Sequence, residues 1–146
     1  MKITYKGDYA LKTILELALH YGERVLTISK LSNSLDIPEK FLEQVLLELK
    51  RGGFVESKRG KVGGYFLAKP PSQIKLGEVI RFIDGPIEPI ACVDIKYKGC
   101  EEMNDCVFRE IWKDIAEKTA QIIDNISFED LVNKIRSRNK LLIYTI

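Results

Sequence analysis

The chain is poor in the groups from which catalysis is built. It holds a single histidine, His20, and no pair of carboxylates set out for acid-base work, no nucleophile with a neighbouring base and no G-x-x-x-x-G-K-[ST] phosphate loop. These absences speak against an enzyme or a nucleotide-binding protein. His20 falls in mid-helix and reads as a structural or surface residue. Long hydrophobic runs are missing as well. No stretch approaches the roughly 18 apolar residues that span a bilayer, and Met1-Lys2-Ile3-Thr4-Tyr5-Lys6 has no apolar signal-peptide core. The expectation is a soluble protein of the cytoplasm with no membrane association.

Cysteine is scarce and unevenly placed. Cys92, Cys100 and Cys106 are the only three, separated by seven and then five residues. An odd count in a cytoplasmic chain argues against a disulfide framework, because thiols stay reduced there. Metal, cluster or redox chemistry is the better expectation for this stretch.

What is present is a chain of 146 residues, 45% of them apolar, enough for one hydrophobic core. Its charge is lopsided. Residues 1–69 carry 12 Lys and Arg against 8 Asp and Glu, whereas residues 70–146 carry 11 against 13. A front half at +4 and a back half at −2 place a polyanionic partner at the front.

Apolar spacing predicts a first helix from Gly7-Asp8 to about Tyr21, through Tyr9, Ala10, Ile14, Leu17 and Ala18, with Asp8 as its cap and Gly22 as its stop. Thr27 caps a short helix carrying Ile28, Leu31 and Leu35, and Asp36-Ile37-Pro38 breaks it. Pro38 then opens a third helix to Arg51, whose buried stripe is Phe41, Leu42, Val45, Leu46 and Leu49. Its other face is Glu39, Lys40, Glu43, Gln44, Leu47 and Lys50. Two short helices about a tight turn, the second polar on its free face, form a helix-turn-helix candidate.

Phe54–Ser57 and Tyr65–Ala68 read as the strands of a hairpin with a basic, glycine-rich tip. Gly60, Gly63 and Gly64 let the tip backbone approach a surface closely, and Lys58, Arg59 and Lys61 offer charge to phosphates. Pro70-Pro71 closes this module. A further helix is expected over Ser72–Asp84 through Leu76, Val79, Ile80 and Ile83, ending at Gly85-Pro86.

After the cysteines a helix over Val107–Asn125 carries Phe108, Ile111, Trp112, Ile115, Thr119, Ile122 and Ile123 at helical spacing. Such a stripe needs a partner, either the same helix of a second subunit or helix one of the same chain. Ser127 and Asp130 suggest a capping box for a short last helix through Leu131, Val132 and Ile135. Leu141–Ile146 is apolar and β-prone, and the sequence assigns it no element. The expected division is 1–70, a DNA-binding module; 71–91, a connecting helix; 92–106, the cysteine loop; 107–138, a dimerisation helix and short terminal helix; and 139–146, a tail.

Several motifs together resemble the Rrf-type family of bacterial winged-helix regulators, over nearly the whole length to about residue 138. They are Thr4-x-Lys6-Gly7-x-Tyr9-Ala10, Phe41-Leu42-Glu43-Gln44, Ser57-x-Arg59-Gly60-x-x-Gly63-Gly64-Tyr65-x-Leu67, Gly77-Glu78-Val79-Ile80, the cysteines and Leu131-Val132. The resemblance implies a mostly α fold, a winged helix-turn-helix domain with a long C-terminal dimerisation helix, acting as a homodimer on a double-stranded DNA operator. Lys40, Glu43 and Gln44 would lie at the major groove. Arg59, with Lys58, Lys61 and the tip glycines Gly60, Gly63 and Gly64, would serve the minor groove and its phosphates.

The resemblance also implies an iron-sulfur cluster, 2Fe-2S or 4Fe-4S, held by Cys92, Cys100 and Cys106 and sensing iron-sulfur status, nitric oxide or redox state. The fourth ligand in one branch of the family is a histidine three residues after the last cysteine, where this chain has Arg109. Another branch takes a carboxylate from the start of the first helix of the other subunit, and the matching residue is Asp8. The rival expectation is the same fold without a cluster, using a zinc or thiol-redox switch or a protein partner.

Overall fold

Thr4 opens the first helix, α1 (Tyr5–Leu19), its hydroxyl accepting from the Gly7 N–H at 3.0 Å. The structure, a computed structural model, describes residues 2–94, 96–101 and 104–144. Asp8, the cap expected from sequence, lies inside the first turn. Its N–H donates to the Thr4 carbonyl at 2.9 Å and its carboxylate pairs with Lys12 Nζ at 2.7 Å.

The choice between two competent caps is made from across the molecule. Asp84, the last residue of α4 (Leu76–Asp84), accepts from the Thr4 N–H at 3.1 Å and from Thr4 Oγ1 at 2.5 Å. Gly7 makes room for this contact, since a Cβ there would collide with the Asp84 carboxylate.

α2 (Ile28–Leu35) starts at Thr27, which accepts from the Lys30 N–H at 3.2 Å. It ends at Asp36 in the left-handed region, φ 55°, a conformation Asp tolerates better than most side chains. Ile37 is buried and Pro38 takes the cap position of α3 (Glu39–Arg51), so the helix begins one residue later than expected. The hairpin follows as β1 (Val55–Lys58) and β2 (Gly64–Leu67), antiparallel, with Val55 opposite Leu67 and Lys58 opposite Gly64.

A 3-10 turn at Pro71–Gln73 replaces the expected first turn of α4, which begins only at Leu76. The reason is long-range pairing. Leu76 N–H donates to the Ile126 carbonyl at 2.9 Å and Phe128 N–H to the Ile74 carbonyl at 3.0 Å, so residues 74–76 are held extended. Ser127 and Asp130 then cap α6 (Phe128–Tyr144) reciprocally, each N–H donating to the other's side chain at 2.9 and 3.1 Å. The Ser127 N–H holds the Asp130 carboxyl below its usual range.

α6 is longer than expected. It runs through residues 139–144, where the sequence predicts a tail; Thr145 and Ile146 lie outside the described residues. Its first turns plug the main core, where Phe128 joins Ile14, Leu31, Leu42, Leu46, Leu49 and Val79 in having no exposed surface. Full burial of side chains of this size stabilises by roughly 1.5–3 kcal/mol each. α4 and α6 both pack on α1, while α5 (Val107–Asp124) lies on α4.

Two substitutions separate the cap from its neighbour. Thr4→Ala is expected to lower unfolding free energy by about 1–2 kcal/mol, and Asp8→Ala, which loses only an exposed i,i+4 pair, by no more than about 0.5 kcal/mol. Urea denaturation of the two variants checks this; equal losses would contradict the capping assignment.

Candidate nucleic-acid interface and cysteine site

The helix-turn-helix presents α3 by burying one face of it. Leu42, Val45, Leu46 and Leu49 are at most 2% exposed and fix the helix on the core, which leaves Lys40, Glu43, Gln44 and Leu47 exposed together. Phe41, expected in the buried stripe, is 54% exposed and lines an open groove with Tyr5, Lys6, Tyr9 and Gln44. It sits at the edge of the stripe, where α1 stops covering α3. Lys50 Nζ reaches Ser57 Oγ at 2.7 Å and ties the end of the helix to the wing.

The wing tip is shaped by backbone. Gly60 takes φ +111°, which disfavours any side chain, and its carbonyl accepts from Gly63 N–H at 3.0 Å. A Cβ at Gly63 would collide with the Lys58 carbonyl. Lys58, Arg59 and Lys61 are exposed around this turn. The structure thus brings Lys58, Arg59, Gly60, Lys61, Gly63 and Gly64 into one projection and places Lys40, Glu43 and Gln44 on one helical face.

One pairing is invisible in the sequence. Leu26 N–H donates to the Tyr65 carbonyl at 3.0 Å and Tyr65 N–H to the Leu26 carbonyl at 2.7 Å, so the segment before α2 joins the edge of the wing through a single antiparallel bridge. Val25-Leu26 is too brief to show an alternating pattern, and only its partner reveals it.

The cysteines occupy unlike places. Cys92 lies in a 3-10 turn, Ala91–Val93, and is half-buried; Cys106 is half-buried at the cap position of α5; Cys100 is exposed. Arg109 Nε donates to the Cys92 carbonyl at 3.0 Å, which ties the first turn of α5 to the turn that carries Cys92. Among the described residues the cysteines and Asp8 are not gathered into a ready-made donor set within the single chain. Asp8 borders an open depression of about 600 Å³ with Lys2, Ile3, Thr4 and Tyr5.

Beyond Cys106, α5 divides the expected apolar stripe. Ala116 and Ile123 are buried, whereas Val107, Phe108, Ile111, Ile115 and Ile122 are between 43% and 69% exposed. His20, expected in mid-helix, is instead the C-terminal cap of α1, because the helix ends at Leu19, and it lies 3.5 Å from Glu16 and 3.8 Å from Glu23. No helix among the described residues is long and apolar enough to cross a membrane.

Residues 3–134 match the family model described as Rrf2, an iron-dependent transcriptional regulator. The chain is 36% identical over 147 residues to an rrf2-like HTH-type transcriptional regulator of Rhodobacter capsulatus, covering 96% of this chain and 98% of that one. It is 34% identical over 133 residues to the HTH-type transcriptional regulator IscR of Yersinia pseudotuberculosis, covering 91% and 80%. Among solved structures it is similar to CymR, the global cysteine regulator of B. subtilis, with TM-score 0.78 and 32% identity over 92% of this chain and 98% of that chain. These regulators are not enzymes, and their winged-helix architecture is the one built here from the residues upward. The chain belongs to the Rrf2 family of HTH-type, DNA-binding transcriptional regulators.

Proposed function

We propose that this regulator binds a double-stranded operator as a homodimer and that the chemical state of its cysteine loop sets the affinity. The observation that carries the proposal is the Arg109 bond to the Cys92 carbonyl. It joins the cysteine turn to the start of a helix whose apolar face is exposed, and a second copy of that helix is the partner such a face fits. A change at the sulfurs therefore bears on the helix that pairs the two reading heads.

The donor set suits an iron-sulfur cluster, since three thiolates in one loop are soft ligands and the remaining position calls for a weaker one. Cys92, Cys100 and Cys106 would hold it. When bound, such a cluster supplies a crosslink sensitive to iron supply, nitric oxide or oxidation. Arg109 is a cation engaged with the Cys92 carbonyl and is no ligand. Asp8 is not needed as a cap, because Thr4 does that, and its exposed pair with Lys12 is weakly held. Its carboxylate is thus available to close the set from across the dimer.

On the DNA side, Glu43 and Gln44 with Lys40 read the major groove. A carboxylate beside phosphates is repelled unless it accepts from a cytosine amine, so Glu43 contributes specificity rather than affinity. Arg59 enters the minor groove, where a narrow groove concentrates negative potential. The second reading, a thiol-redox or zinc site, is favoured by the exposure of Cys100 and by the likeness to a cysteine regulator.

Anaerobic purification with iron and sulfide quantification and a visible spectrum decides between them. A coloured protein containing both elements is expected, and a protein that stays colourless after reconstitution would end the cluster reading. Asp8→Ala should keep the fold and alter cluster stability or spectrum; an unaltered holo-protein removes Asp8 from the ligands. For the wing, Arg59→Ala is expected to weaken operator binding, with a smaller loss where the minor groove is wide. Unchanged affinity at physiological salt contradicts the assignment.

A further inference from the structure

The Leu26 and Tyr65 pairing has a second effect besides bracing the wing. It sets Arg24, Thr27 and Lys30 across an open cleft of about 430 Å³ from Lys58, Lys61 and Gly63. Gly64 is what lets the two segments close, because a Cβ there would come within 2.6 Å of the Leu26 carbonyl oxygen.

The lining of this cleft carries four cations and no carboxylate. Four lysines elsewhere are paired, Lys6 with Glu48 at 3.3 Å, Lys12 with Asp8 at 2.7 Å, Lys69 with Glu78 at 3.8 Å and Lys118 with Asp114 at 2.9 Å, and, among the described residues, others on the surface are not. Among the described residues no ion pair involves Arg24, Lys30, Lys58 or Lys61. On the other side of Arg24 and Lys30 a second depression includes Glu16, which accepts from Ser34 Oγ at 2.9 Å and faces His20. Thr27 Oγ1 accepts from the Lys30 N–H, which leaves its own hydrogen for an acceptor in the cleft. Like charges converging on one concavity repel each other in the free protein, and only an anion makes that arrangement favourable.

We propose that this cleft seats a backbone phosphate of the DNA duplex, with Arg24 and Lys30 extending the contact beyond the recognition helix and the wing tip. The inference rests on the wing reading above. A minor groove about 6 Å wide is walled by phosphates on both sides, so a wing tip inserted there brings the cleft beside it against one of those walls. The contact is electrostatic and carries no base readout.

The test is fluorescence anisotropy of the full-length protein on a labelled random-sequence duplex, titrated between about 50 and about 200 mM salt. Combining Arg24→Ala with Lys30→Ala should make the slope of log affinity against log salt shallower by about 0.9 for each phosphate no longer neutralised. Operator and random duplex should weaken by the same factor. Arg24→Lys with Lys30→Arg should keep the slope, as should Lys134→Ala on α6. An unchanged slope in the double alanine variant, against a steep wild-type slope, overturns the inference and leaves the wing reading standing. A weakening confined to operator sequence also overturns it. Displacement of the duplex from wild type, but not from the double variant, by inorganic phosphate at matched ionic strength assigns the cleft to free phosphate instead. Wild-type protein that binds no duplex at low salt overturns the inference together with the reading beneath it.

Discussion

The arrangement of this protein turns on a two-pronged clasp between Arg81 and Asp124. Nη1 meets Oδ1 at 2.5 Å and Nη2 meets Oδ2 at 2.9 Å, joining α4 to the last residue of α5. Gly77 leaves the space, since a Cβ there would collide with the Asp124 carboxylate. Arg81 holds that carboxyl below its usual range. Both side chains are about two-fifths exposed, at 38% and 43%, so the pair contributes on the order of 1 kcal/mol or less and its chief effect is direction. A planar fork on a carboxylate fixes angle as well as distance. Little else holds α5: the small cluster of Ile80, Ile87 and Ile123, and Arg109 on the Cys92 carbonyl at its other end. A helix held at its ends, with one apolar face left exposed along its length, is suited to carry a change from one end to a partner.

The reading head is built differently. Its core is continuous from α1 to the wing and is completed by Phe128 and Val132 of α6, so the C-terminal segment belongs to the head as much as the N-terminal one does. The extended stretch at 74–76, paired to 126–128, makes the same join through backbone. A boundary at residue 70 therefore divides the sequence more cleanly than it divides the packing. The proposed sensing loop lies between α4, whose Asp84 holds the α1 cap residue Thr4, and α5, which projects its apolar face outward.

Much of this is legible in the chain. Helical spacing locates α1, α2, α3 and α5, the glycine-rich basic segment locates the wing, and Ser127 with Asp130 locates the start of α6, because each signal is local. The departures share the opposite property. Thr4 and Asp8 are both good caps, and Asp84, 80 residues from Thr4, decides between them. The late start of α4 follows from pairing with residues 126–128, and the bridge at Leu26 exists only through Tyr65. Leu141–Tyr144 carries β-prone side chains, yet a helix already under way adds residues at little cost. The cysteines are legible as a group, but their unequal burial and the bond from Arg109 are not, since both depend on how α5 meets the turn at Ala91–Val93.

The central claim is that the cysteine loop controls the reading head, and operator affinity measured anaerobically on one preparation before and after removal of the proposed cluster tests it most directly. The account predicts that the two forms differ tenfold or more, equivalent to about 1.4 kcal/mol, with the original value restored on reconstitution. Equal affinities for the two forms on the same operator would contradict it.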